Sequence, residues 1–77
     1  MTTTDIHVVF VRLLGEGTEV MRPVHALLEN SGCYRLLAPS DYDCEEETWE
    51  FPPNSIVLCK VQVNSGEWIR VATERLV

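Results

Sequence analysis

Residues 41–50, Asp-Tyr-Asp-Cys-Glu-Glu-Glu-Thr-Trp-Glu, hold six carboxylates and no base. Three chemistries use such a run: acid/base catalysis, cation binding, and docking onto a basic surface. Catalysis needs a nucleophile with a base, or an acid/base pair, held away from water. A run of acids with nothing to set one apart from the next is a solvated stretch, not a tuned dyad. For calcium, Asp41, Asp43 and Glu45 fall at positions 1, 3 and 5 of an EF-hand count. Glu46 then stands where that loop needs Gly, and Pro52 where it needs a bidentate Glu. The match fails. Docking remains, with Glu45, Glu46 and Glu47 as charge and Tyr42 and Trp49 as aromatic anchors that bury area yet keep a polar tip. The plain alternative is an exposed loop that keeps the protein soluble.

The other reactive side chains lack motif context. Cys33, Cys44 and Cys59 are odd in number and form no CxxC pair, which fits a reducing cytoplasm. Cys33 and Cys59 read as small strand hydrophobes. His7 and His25 have no ligand spacing with them, so no metal or other cofactor is expected. Cys44 with His25 is a catalytic pair only on paper. The chain has no G-x-S-x-G, P-loop, H-E-x-x-H or dinucleotide fingerprint, and the expectation is no enzyme.

Charge narrows the partners. Twelve acids against six bases leave −6, and residues 41–50 account for all of it. Lys60 is the one lysine, and Arg12, Arg22, Arg35, Arg70 and Arg75 are scattered. A phosphate-binding surface needs concentrated cations, so nucleic acid and anionic membranes are disfavoured. No apolar run is long enough to span a bilayer, and residues 1–7 lack the basic start of a secretory signal.

Seventy-seven residues make one small domain, with a tail over 1–5 and an acidic loop over 39–48. Val, Ile, Thr and aromatic residues cluster between Gly, Pro, Asn and Ser breakers, which is strand punctuation. The runs are 6–14, 18–29, 33–38, 49–51, 56–63 and 67–73. Pro23 cannot donate to a ladder and marks an edge, a bulge or a bend. It also argues against a helix through Met21 to Leu28.

Asn-Ser-Gly occurs at 30–32 and again at 64–66. A three-residue hairpin loop with Gly in the left-handed region predicts two registers. The first pairs Leu28 with Tyr34, Ala26 with Leu36 and Val24 with Ala38. The second pairs Val63 with Glu67, Val61 with Ile69, Cys59 with Val71 and Val57 with Thr73. That second register makes one face apolar and buried. Trp68 would lie on the other face with Gln62, Lys60 and Arg70, either closing an end of the core or forming a binding patch on which Arg70 stacks. Phe10 and Phe51 are expected in the core, and Trp49 is open between core and surface.

Five main strands are too few for a two-sheet sandwich. The expected fold is all-β, a small, strongly bent antiparallel SH3-like barrel. The pattern Val11-Arg12-Leu13-Leu14-Gly15-Glu16-Gly17-Thr18-Glu19-Val20, Arg22-Pro23-Val24, Tyr34-Arg35-Leu36 and Trp49-Glu50-Phe51-Pro52-Pro53 resembles a family of small uncharacterised bacterial proteins. The resemblance covers most of the chain. It implies a compact β fold and a bacterial cytoplasm, and it brings no catalytic residues. The family usually reads Pro-Gly where this chain has Pro53-Asn54, and often carries an aromatic near Met21. Together these observations point to a non-catalytic protein-interaction module whose site comprises Tyr42, Glu45, Glu46, Glu47, Trp49, Trp68 and Arg70. Its partner is an unidentified protein or a second copy. The alternatives are a nucleic-acid-associated barrel of the translation or transcription kind, and an acidic mimic that fills a basic groove.

Overall fold

A computed structural model describes residues 6–30 and 32–76; the expected tail over 1–5 and Ser31 of the first corner lie outside the described residues. Among the described residues every regular element is a strand: β1 (Ile6–Leu14), β2 (Val20–Asn30), β3 (Cys33–Leu36), β4 (Thr48–Trp49), β5 (Ile56–Asn64) and β6 (Glu67–Arg75). The order β2-β3-β5-β6-β1 closes on itself through β1–β2, giving a ring of five strands, with the short β4 added to β1 at Leu13 and Leu14.

The ring is not wholly antiparallel, as the sequence suggested. β1 and β6 run parallel, with Phe10 opposite Val71. The reason is parity: when five strands alternate in direction around a ring, the first and last point the same way.

Residues on the concave face form the core, taken alternately from each strand. Val9 and Val11 come from β1, Val24 and Ala26 from β2, Tyr34 and Leu36 from β3, Val57 from β5 and Ala72 from β6, with Trp49 closing one end. Burying a Val or Leu side chain contributes about 1.5–3 kcal/mol. Phe51 packs against this cluster, as expected. Phe10 does not. It alternates with Val9 and Val11, so it is half-buried on the opposite face, beside the fully buried Val71.

Met21 to Leu28 is strand. Its Pro23 sits where a missing donor does no harm. The His25 carbonyl accepts from Leu37 N on the β3 side, so by alternation the Pro23 nitrogen also faces that side. β3 has ended there, its first pair with β2 being Ala26–Leu36.

The hairpin registers divide. In the first, Leu28 faces Tyr34 and Ala26 faces Leu36 as expected, while β3 stops before Ala38 and the Val24 pair is not made. Glu29 is the extra residue there, since Asn30 already faces Cys33. The second register is corrected. Ser65 and Gly66 both take positive φ, 53° and 81°, which makes a two-residue I′-type turn and leaves Asn64 in the strand opposite Glu67. Val63 therefore faces Trp68, Val61 faces Arg70 and Gln62 faces Ile69. The extra residue falls instead at Thr73, because Leu58 faces Glu74 while Cys59 faces Ala72. Thr73 Oγ1 donates to the Leu58 carbonyl at this bulge (3.3 Å).

Candidate functional site: the acidic loop and the hairpin face

The acidic loop is folded on itself. Tyr42 N donates to the Pro39 carbonyl (3.0 Å), and Glu46 N and Glu47 N both donate to the Asp43 carbonyl (3.0 and 3.1 Å). Asp43 Oδ1 accepts from Glu45 N (2.9 Å), a local side-chain-to-backbone bond typical of Asp in turns. Glu50 N then donates to the Arg12 carbonyl (2.8 Å), tying the end of the segment to β1.

Arg22 holds the loop to the ring. It shares the concave face of β2 with Val24, opposite Val11. Its guanidinium pairs with Glu47 through Nη1 and with Asp41 through Nη2 (3.0 Å). Hydrogen bonds to Glu47 and then Asp41 raise the Arg22 pKa against the opposing effect of desolvation. Glu47 Oε1 also accepts from Trp49 Nε1 (2.6 Å). Trp49 is buried, and Tyr42 meets its ring edge-on at 5.0 Å. Trp49, open between core and surface on sequence grounds, is in the core, and Glu47, expected as free charge, faces inward, where the indole and the guanidinium consume its carboxylate. Glu45 and Glu46 remain exposed, with Asp43 between them and Tyr42.

The hairpin face is the second element. The shift of one residue moves Trp68 off the side of Lys60 and Gln62 and onto the side of Val61, Val63 and Arg70. That is the core face by alternation, but the hairpin outruns the core. Trp68 is 74% exposed, Val61 55% and Val63 54%. Val61 and Val63, expected inside, are thus part of the surface. Arg70 does not stack on Trp68; its guanidinium lies 5.1 Å from the centre of the Tyr34 ring, which His7 meets edge-on at 5.4 Å. Beside them, burial pushes the Cys59 thiol up to about 11, with the Arg70 charge pulling the other way and Cys33 adding to the rise.

The two surfaces are separate pieces of chain. Tyr42, Glu45 and Glu46 lie in the loop before β4, whereas Trp68 and Arg70 lie on β6. Sequence reasoning missed Val61 and Val63, because their exposure depends on how far β3 runs beside β5, and that pairing ends at Leu58.

Three of the five arginines pair with acids of this chain, Arg22 as described above. Arg12 reaches Glu19 (3.3 Å) and Glu50 (3.7 Å), and Arg35 reaches Glu29 (2.8 Å). A cavity of about 470 Å³, with largely apolar walls, opens between Val8, Pro23 and His25 on one side and Leu37 and Ser40 on the other. Among the described residues, no three of His, Cys, Asp and Glu gather as a metal would require. Among the described residues no helix is long and apolar enough to cross a membrane. No protein-family model, curated protein or solved structure matches the chain.

Proposed function

We propose that this chain is a non-catalytic protein-interaction module that presents the Trp68 face of its β5–β6 hairpin to a protein partner. The observation that carries the reading is the exposure of Trp68 beside Val61 and Val63 on one strand face. A small domain leaves so large an aromatic side chain in water at a cost, and grouped exposed apolar residues mark contact sites. Arg70 borders the patch and supplies a polar rim. The exposed carboxylates of Asp43, Glu45 and Glu46 form a second contact for a basic partner surface. The ring of five strands supports an SH3-like barrel as the architecture. The three free thiols support a reducing, cytoplasmic setting. Nucleic acid is the weaker alternative, because Arg12, Arg22 and Arg35 are each engaged by acids of this chain.

The test is affinity capture at low and high salt with wild-type protein, Trp68→Ala, and the double variant Glu45→Gln/Glu46→Gln. Glu47 is left alone because it holds Arg22 and Trp49. Trp68→Ala is expected to lose a specific partner at least about tenfold while circular dichroism stays unchanged. The double variant should weaken capture in a salt-sensitive way. Equal capture by all three proteins would overturn the reading.

A further inference from the structure

Strand β5 outruns its neighbour. β3 pairs with it at Ile56, Val57 and Leu58, and among the described residues no strand lies against that side of β5 from Cys59 to Asn64. Three hydrogen bonds give the direction of the backbone groups along this open edge. The Ser55 carbonyl accepts from Leu36 N on the β3 side (3.0 Å). The Ile56 and Leu58 carbonyls accept from Leu76 N (2.7 Å) and Thr73 Oγ1 (3.3 Å) on the β6 side. Alternation then aims the N–H and C=O groups of Cys59, Val61 and Val63 outward.

Soluble proteins guard such edges with charges, prolines or bulges. This one has Lys60 as its single charge, no proline, and the exposed Val61 and Val63 as two of its outward-bonding residues. We infer that the edge pairs with the same edge of a second copy, antiparallel and centred on Gln62, to form a continuous β6-β5-β5-β6 sheet across two molecules. The inference rests on the interaction reading above and names the partner.

A two-fold contact demands a strand complementary to itself. Centring on Gln62 sets Val61 against Val63 of the second copy, twice, and both are residues that exchange backbone hydrogen bonds. Lys60 then faces Asn64, with no like charges opposed. Centring on Lys60 would bring two ammonium groups together. Centring on Val61 or Val63 would set a valine against Cys59 or the turn residue Ser65. In the favoured register each row runs Trp68, Val63, then Val61 and Arg70 of the second copy, so each exposed valine gains the other valine as an apolar neighbour.

Sedimentation velocity and light scattering from about 1 μM to about 1 mM read the result directly. Twice the chain mass is expected as concentration rises. Val63→Pro deletes an outward donor that the β5–β6 ladder does not use, and should raise the dissociation constant at least about tenfold with the strand spectrum retained. Val63→Lys does the same by charge should the proline disturb the arm. Gln62→Cys in a Cys44→Ser background should oxidise to a covalent dimer, whereas Lys60→Cys should not. A monomer across the whole range overturns the inference, as does a dimer that both Val63 variants leave intact. A monomer that still captures another protein through Trp68 sinks self-pairing alone; a monomer that captures nothing sinks the interaction reading as well.

Discussion

The indole N–H of Trp49 donates to Glu47 at 2.6 Å, and the same carboxylate oxygen receives the guanidinium of Arg22. One oxygen thus joins β2, β4 and the acidic segment. The loop with the most charge in the chain is in this way anchored at a buried aromatic residue, and its carboxylates divide into structural and free.

That division has a measurable consequence. Glu47→Ala leaves the buried indole N–H of Trp49 without its acceptor, which costs about 1–3 kcal/mol. Glu47→Gln keeps an amide oxygen for the indole and should cost less. Glu45→Gln and Glu46→Gln, both exposed, should stay within about 0.5 kcal/mol of wild type. Urea unfolding followed by tryptophan fluorescence separates the three classes.

Cys59 supplies a pH dependence. Its thiol titrates near 11 in the folded protein, raised from 9.0 chiefly by burial. Below the unfolded-state value both states are protonated and nothing is lost. As pH rises through that value towards the folded one, the unfolded chain releases its proton first, so stability falls. The urea midpoint should therefore drop between about pH 9 and pH 11, and drop less in Cys59→Ala. At pH 8 a thiol reagent should modify the exposed Cys44 well ahead of Cys59.

The Pro52-Pro53-Asn54-Ser55 turn makes a sharper test of local geometry. Ser55 N donates to the Pro52 carbonyl (3.1 Å) and Asn54 has φ 74°, the third position of a type II turn. Asn accepts that region and Gly accepts it freely. Asn54→Gly should change stability by no more than about 0.5 kcal/mol, and Asn54→Val should cost about 1–2 kcal/mol. Thermal melts of the two variants check both.

Ser65 is the matching case in the β5–β6 turn. Its φ of 53° is one that Ser tolerates poorly and Asn better. Ser65→Asn should raise stability by about 0.5–1 kcal/mol without altering the register. Amide exchange along Lys60, Gln62 and Asn64, the residues bonded towards β6, should slow accordingly.

Ser55 adds a contrast of another kind. The residue is buried at 2% exposure, and its hydroxyl has no hydrogen-bond partner among the described residues. Ser55→Ala removes an unsatisfied polar group and should be neutral or stabilising by about 1 kcal/mol in chemical denaturation.

Much of this molecule was determined by local information. The strand segments follow from β-branched runs between breakers, the placement of Pro23 from its missing donor, and the turn at Pro53-Asn54 from the dihedral demands of those two residues. The Leu28–Tyr34 and Ala26–Leu36 pairs also follow, because the extra residue at Glu29 lies next to the corner and restores the expected phase. Tertiary structure decided the rest. In the second hairpin the same tripeptide keeps Asn64 in the ladder and the extra residue waits until Thr73, so the side chains between change faces. Whether Trp49 is inside or Val61 outside depends on which strands lie across from them, and β3 is too short to cover the end of β5. Alternation along a strand is a local property; its phase, and the presence of a neighbour, are set by chain segments distant in sequence.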